Sequence, residues 1–201
     1  MWDGKVLLVP GFLSEDERQG LFDWSVNAAQ RRDGFVLGII RDHERGGVAR
    51  TDKRVTSRFN EEGLSTVKYP DLAYRIQDKI LDTIPSLKGL SRIEFGGVDG
   101  LVVSVTYDSG DVYEHLDPAH KDHPTVAGLR CNVLVSKPES GGTIWIDGKP
   151  YEVNAGDLHC YLVTHYRHRV DVCHGNVPRV LFMYGWWVNA SGWKSGQCSG
   201  N

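Results

Sequence analysis

Two side chains in the middle of the chain, His115 and Asp117, have the types and the spacing of metal ligands. They stand in the run Val-Tyr-Glu-His-Leu-Asp, which has the composition and setting of a β-strand. Alternate side chains of a strand point to the same face, so this imidazole and this carboxylate converge on one point. They supply two ligands of a two-histidine, one-carboxylate site, which binds Fe(II) and leaves coordination positions open.

The chain contains a second His-x-Asp pair, His120 and Asp122. This pair lies between Pro118 and Pro124, in a polar stretch that cannot continue a strand. The pair that begins at His115 is therefore the predicted ligand pair.

The second histidine of such a site has to come from a distant strand. The histidines that follow along the chain are His159, His165, His168 and His174. His168 is favoured, because it begins the short alternating run His-Arg-Val-Asp-Val.

Arg179 begins a strand that is apolar on both faces and is therefore expected to be central and buried. A buried guanidinium needs a partner, and its planar fork suits a carboxylate. Two partners remain open: a structural salt bridge with Asp157 or Asp171, or the far end of a dicarboxylate ligand. A hairpin between strands predicted at 168–172 and 179–188 would place the third metal ligand and this arginine in one pocket.

The elements that position these residues are predicted from hydrophobic periodicity and turn residues. A short strand at 6–9 precedes a helix that begins with a capping box at Ser14 and Glu17 and ends near residue 30. A second helix is predicted over 69–84. Short strands then follow at 93–96, 101–107, 111–117, 129–136, 142–146, 150–153, 158–163, 168–172 and 179–188. This order predicts a mainly β, α+β fold, in which N-terminal helices pack on one sheet of a sandwich or barrel.

The segment 31–58 has a different composition, with eight lysine and arginine residues against four acidic residues. The dipeptide Gly46-Gly47 within it is typical of a loop. Two interpretations stay open: a solvated loop with loose ion pairs, or a flap over an active site that meets an acidic or carboxylate-bearing substrate.

Bulk properties narrow the class of protein. The 201 residues are most simply one domain, 1–201, with a helical buttress at about 10–90 and a β core at about 91–190. The net charge of −3 provides no polycation for nucleic acid, and no apolar run approaches the length of a membrane span. The start of the chain has no signal-peptide core, and the four cysteines lack CxxC spacing. We therefore expect a cytoplasmic protein with free thiols and no nucleic-acid or membrane partner.

Several short motifs follow one another in a fixed order between residues 101 and 188. They are Tyr107-x-x-Gly110-x-x-Tyr113-x-His115-x-Asp117, Arg130-Cys-Asn-Val, Gly141-Gly142-Thr-Ile-Trp, Ala155-Gly156-Asp157-Leu158, His168-x-Val170 and Arg179-x-Leu-Phe-x-x-Gly-Trp. As an ordered set they resemble the 2-oxoglutarate/Fe(II)-dependent dioxygenase superfamily, and most closely its prolyl-4-hydroxylase-like branch.

The resemblance implies a double-stranded β-helix, the jelly-roll core of the cupins. It assigns iron to His115, Asp117 and His168. It also assigns Arg179 to the distal carboxylate of the co-substrate 2-oxoglutarate and Tyr107 to the co-substrate pocket. Asn132 is either a further residue of that pocket or an ordinary residue of the sheet. The implied cofactors are Fe(II), 2-oxoglutarate and O2, with ascorbate as an optional addition.

The implied reaction is oxidation, most simply hydroxylation, of an unactivated C–H bond, with decarboxylation of 2-oxoglutarate to succinate. The substrate would be an amino acid, a peptidyl residue or a small metabolite, and the enzyme a monomer or homodimer. Gly185 stands where nucleic-acid-demethylating members carry a second arginine, which disfavours nucleic-acid repair. Asp117 is present where related halogenases have a small residue, which disfavours halogenation.

Two other functions stay open on the sequence alone. One is a cupin-type metal dioxygenase that does not use 2-oxoglutarate, and Arg179 on the last core strand speaks against it. The other is a catalytically inactive jelly-roll module for binding or sensing, and an intact ligand set speaks against that.

Overall fold

The structure is a computed structural model that describes residues 1–42, 47–57, 67–93, 100–123 and 125–194. The elements in chain order are β1 (Leu7–Val9), α1 (Glu15–Arg31), β2 (Phe35–Asp42), β3 (Gly47–Ser57), α2 (Asp71–Thr83), a 3-10 turn (Pro85–Leu87), β4 (Leu101–Thr106), β5 (Val112–His115), β6 (Val126–Ser136), β7 (Ser140–Gly141), β8 (Ile144–Ile146), β9 (Lys149–Tyr151), β10 (Leu158–Leu162), β11 (His168–Val170), β12 (Cys173–His174), β13 (Arg179–Asn189) and α3 (Ala190–Lys194).

Two facing antiparallel sheets form the β core. The large sheet has the strand order β1-β10-β6-β13-β4-β3-β2, and the small sheet has the order β5-β11-β8-β9. Apolar side chains of the two sheets, such as Leu134 and Leu181 from the large one and Ile146 and Val170 from the small one, share one buried cluster. The predicted jelly roll with N-terminal helices is confirmed.

The helices cover the other face of the large sheet. The predicted capping box begins α1, where the Glu17 N–H donates to Ser14 Oγ at 3.2 Å and the Ser14 N–H donates to the Glu17 carboxylate at 2.7 Å. Leu21 of α1 and Ile76 of α2 are fully buried in a cluster with Val103 of β4. The large sheet is thus covered by helices on one face, and its other face is directed toward the small sheet.

The cationic segment 31–58 is not a loop over the described part of its length. Strands β2 and β3 pair there as an antiparallel hairpin at the edge of the large sheet. Phe35 and Val55 enter the core, whereas Asp52 and Lys53 are exposed. The prediction of a loop was wrong because an edge hairpin can carry many charges on positions that face solvent.

Most of the predicted strands coincide with observed ones to within a few residues. The strand predicted at 93–96 falls largely on 94–99, outside the described residues. Beyond β13, the short helix α3 brings Trp193 edge-on against Trp2, with ring centroids 5.4 Å apart. Among the described helices, none is both long and apolar enough to span a membrane.

Candidate metal centre

The small sheet brings the three predicted ligands together. Strands β5 and β11 pair so that His115 lies directly opposite His168. Asp117 lies two residues after the end of β5, and its N–H donates to the Val163 carbonyl at 3.0 Å. One ligand atom from each of the three side chains lies within 4.8 Å of the other two. Within the described residues, this is the one cluster of three such groups.

Backbone carbonyls orient both imidazole rings. His115 Nδ1 lies 2.8 Å from the Tyr113 carbonyl, and His168 Nδ1 lies 3.2 Å from the Tyr166 carbonyl. A carbonyl oxygen only accepts, so each Nδ1 carries the hydrogen and donates it. In the neutral ring this leaves the lone pair on Nε2, the atom that faces the carboxylate, and such an orienting bond is usual for histidine ligands of metals.

The Asp117 carboxylate lies between the histidines and an arginine. Its Oδ1 is 3.5 Å from His115 Nε2 and 3.9 Å from His168 Nε2, and its Oδ2 is 3.6 Å from Arg130 Nε. Burial raises the pKa of this carboxyl, but the contact with the His115 ring and the charge of Arg130 outweigh burial and hold the pKa at about 2. One oxygen therefore faces the histidines as an anion while the other is held by Arg130.

The donor set fits a divalent metal ion at neutral pH. Burial, with a smaller contribution from His115, lowers the pKa of His168 to about 4, so this ring is neutral and able to ligate. Two imidazole nitrogens and one carboxylate are the ligands that non-haem Fe(II) takes on one side, with the remaining positions open. Those positions would face a cavity of about 480 Å³, which all three side chains line.

Arg130 is a site residue to which the sequence analysis gave no role. It lies on β6, is 5% exposed and lines the cavity beside Asp117. The indication was present in the sequence, because a charge inside the apolar run Leu-Arg-Cys-Asn-Val-Leu-Val needs a partner just as Arg179 does.

Arg179 lies in the wall of the same cavity and is 2% exposed. Its Nε has no hydrogen-bond partner. The salt bridges that stayed open on the sequence are absent among the described residues, since Asp157 accepts the N–H groups of Gly11 and Asn154 and Asp171 accepts from Arg169. A buried guanidinium with an unsatisfied N–H indicates a position for an anionic ligand.

The hairpin considered between the strands of His168 and Arg179 does not form. Strand β11 belongs to the small sheet, where it pairs with β5 and β8, and β13 belongs to the large sheet, where it pairs with β4 and β6. The two side chains still line one cavity because the sheets face each other across it. Jelly-roll connections cross between sheets, so neighbours in sequence need not be neighbours in a sheet.

Asn132 lines the cavity and contacts a buried polar side chain, His159, that is not part of the cavity wall. Its Nδ2 lies 3.4 Å from Nε2 of the fully buried His159, and its Oδ1 has no partner. Tyr161, another cavity residue, stacks against His159 at 6.1 Å and meets His168 edge-on at 5.4 Å. Tyr161 was not predicted to belong to this site. His159 was one of the four candidates for the second histidine ligand, among which His168 was favoured.

Tyr107 is not among the residues that line the cavity in the described structure. It packs against the cluster on the helix side of the large sheet, with Val103 and Val105. The even-numbered residues Val102 and Ser104 of β4 line the cavity, so the odd-numbered residues of this strand face the helices. Tyr107, directly after the strand, follows the odd-numbered residues. The described structure therefore does not bring Tyr107 to the cavity that the metal ligands line.

Burial of His159 predicts an acid-sensitive fold. Burial lowers the pKa of His159 from 6.5 to about 3, so between these values the unfolded chain binds a proton that the folded chain does not. Lowering the pH through this window should reduce the free energy of unfolding, by up to about 1.4 kcal/mol per pH unit. Denaturant unfolding of metal-free protein from neutral pH to about 4 should show a shallower decline for His159→Leu. An unchanged slope in that variant, or an equal change for the exposed His174→Gln control, would contradict this.

Comparisons with known proteins show which solved structures share this fold. No family model and no curated protein matches the chain. Among solved structures, it is similar to a viral collagen prolyl hydroxylase of Paramecium Bursaria Chlorella virus-1 in complex with 2-oxoglutarate (15% identity, 91% of this chain, 94% of that chain, TM-score 0.59). It is also similar to a Pseudomonas putida prolyl-4-hydroxylase (15%, 91%, 91%, 0.56) and to a Trichoplax adhaerens prolyl hydroxylase in complex with a hypoxia inducible factor peptide (11%, 94%, 85%, 0.58). At these identities the similarity establishes a shared fold.

Proposed function

We propose that this protein, with the fold of the prolyl hydroxylases, is a non-haem Fe(II)/2-oxoglutarate-dependent dioxygenase. Its reaction would be hydroxylation of an unactivated C–H bond of an amino acid, a peptidyl residue or a small metabolite. The observation that carries the proposal is the presence, in one cavity, of a His–Asp–His donor set and the buried guanidinium of Arg179.

His115, Asp117 and His168 would hold the metal. Bound Fe(II) supplies the activation of O2 that couples decarboxylation of 2-oxoglutarate to oxidation of the substrate. The carbonyls of Tyr113 and Tyr166 orient both histidine rings so that their Nε2 atoms would be available to the metal. The chain thus orients its donors before any ligand enters.

Arg179 would bind the far carboxylate of 2-oxoglutarate. Its planar fork matches a carboxylate, and an anionic partner satisfies the N–H that has none. The apolar side chains of Leu181, Ile144 and Val170 line the same cavity and would exclude water from the co-substrate. Asn132 and Tyr161 would add polar contacts to its wall.

The two alternative functions explain less of this geometry. A metal dioxygenase without 2-oxoglutarate has no use for a buried arginine beside its metal. A binding or sensory module has no use for an open coordination site. The neighbour from Trichoplax adhaerens binds a peptide, which supports keeping a peptidyl residue among the proposed substrates.

An anaerobic spectrum tests the proposal. Protein supplied with Fe(II) and 2-oxoglutarate should develop a weak metal-to-ligand charge-transfer band in the visible, because the co-substrate chelates the metal. His115→Ala should abolish the band, whereas the exposed His174→Gln should retain it. Wild-type protein with metal bound and no band on addition of 2-oxoglutarate would rule out the proposed function.

A further inference from the structure

Strands β3 and β4 place a second group of polar side chains in the cavity wall. In their register Arg54 lies opposite Thr106, and Thr56 lies opposite Ser104. Cross-strand partners project from the same face of a sheet, and Arg54, Thr56 and Ser104 all line the cavity. We call these three residues the β3–β4 polar wall. None of them has a role in the metal or co-substrate positions described above.

A hydrogen bond fixes the direction of Arg54. Its Nε donates to Ser104 Oγ at 3.0 Å, so the side chain leans along β4 from Thr106 toward residue 100. At that end of the strand, the Gly100 carbonyl accepts from Arg130 at 3.5 Å, and Arg130 is the partner of the metal-site carboxylate. The Arg54 side chain therefore leans toward the end of β4 at which Arg130 contacts the Gly100 carbonyl.

Thr56 provides evidence that does not depend on charge. Its side chain lines the cavity and is 1% exposed, yet its Oγ1 has no hydrogen-bond partner. A buried hydroxyl without a partner is unfavourable and calls for an explanation. An acceptor on a bound ligand, such as a carboxylate oxygen, would satisfy it.

The arginines of the cavity wall lie at separate positions. Arg130 lies beside the Asp117 carboxylate, and Arg54 and Arg179 line other parts of the wall. Arg54 and Arg179 both lie opposite Thr106, on the two sides of β4, so their backbones are roughly 10 Å apart. The hydrogen bond to Ser104 directs the Arg54 side chain away from the row that contains Arg179.

We propose that the β3–β4 polar wall binds a carboxylate of the primary substrate, with Arg54 as the charged contact and Thr56 as a hydrogen-bond donor. The enzyme would then select carboxylate-bearing substrates over their neutral analogues. This inference rests on the proposed function and narrows its substrate class. A free amino acid and an acidic residue of a peptide present the same carboxylate chemistry to this wall.

Anaerobic calorimetry with small probes tests the wall directly. Wild-type protein with Fe(II) is first titrated with 2-oxoglutarate, and the saturated complex is then titrated with propionate and, separately, with its neutral analogue propionamide. Propionate should bind and propionamide should not. Arg54→Met should weaken propionate binding about 10- to 100-fold, and Thr56→Val should weaken it less. The exposed Arg31→Met serves as the matched control and should bind propionate as wild type does.

The outcomes separate this inference from the proposed function. Absence of 2-oxoglutarate binding would count against the dioxygenase. The affinities of wild type and Arg54→Met for propionate test the β3–β4 polar wall whether or not 2-oxoglutarate binds. Equal binding of propionate and propionamide, no binding of propionate, or unchanged binding in Arg54→Met would overturn the inference. Tighter binding of free L-alanine than of a terminally blocked glutamyl peptide would identify a free amino acid as the carrier of the carboxylate, and the reverse order a peptide.

Discussion

Arg179→Met is expected to raise the KM for 2-oxoglutarate by about 30-fold or more while making the ligand-free protein more stable. Truncating one partner of a buried charge pair costs about 2–5 kcal/mol, and each 1.4 kcal/mol is a factor of ten. In the ligand-free protein the guanidinium is buried with an N–H that has no partner, so removing it relieves a desolvation penalty. The KM is checked by measuring succinate release against 2-oxoglutarate concentration. The stability is checked by thermal unfolding of the ligand-free protein.

The opposite signs of these effects distinguish a ligand-binding arginine from a structural one. A structural arginine would destabilise the fold when removed and would leave the KM for 2-oxoglutarate unchanged. Arg179→Lys should be intermediate, since it keeps the charge and loses the fork. Arg169→Met is the matched control, because Arg169 pairs with Asp171 and stacks on Trp145 outside the cavity.

Asp117→Ala is expected to abolish turnover and stable Fe(II) binding. The carboxylate is the one anionic ligand of the set, and its loss leaves Arg130 facing the metal position without the anion that lies between them. Anaerobic titration with Fe(II), followed by an assay of succinate release, measures both effects. Asp122→Ala is the control, because it removes the exposed carboxylate of the second His-x-Asp pair. Loss of metal binding in the control, or its retention in Asp117→Ala, would refute the assignment.

Arg130→Met extends this prediction to the residue behind the ligand. Arg130 holds Oδ2 of Asp117 and leaves Oδ1 directed at the histidines. Removal of such an orienting partner typically lowers metal affinity about 10- to 100-fold. The effect should therefore lie between those of Asp122→Ala and Asp117→Ala in the same titration.

The placement of the metal ligands followed from local rules that operate within single strands. The alternation of side chains predicted the convergence of His115 and Asp117, and the start of a short strand predicted His168. The burial of a charged residue predicted that Arg179 would face a pocket. These inferences need only a strand and its faces, and both can be read from a few residues.

Relations between strands could not be read in this way. The pairing of β11 and β13 with different sheets depends on crossovers, which hydrophobic alternation does not encode. The β2–β3 hairpin was hidden because the charges of an edge strand outweigh its few core residues, such as Phe35 and Val55. The resemblance assigned Tyr107 to the pocket, whereas the alternation of side chains along β4 places it against the helices.

The cavity lies between the two sheets, and residues of both sheets line it. The histidines stand on strands of the small sheet, and Arg179 begins a strand of the large sheet. A molecule that coordinates the metal held by the histidines and forms an ion pair with Arg179 would connect the two sheets. Its binding would therefore stabilise the packing of one sheet on the other, and not only the groups that it contacts.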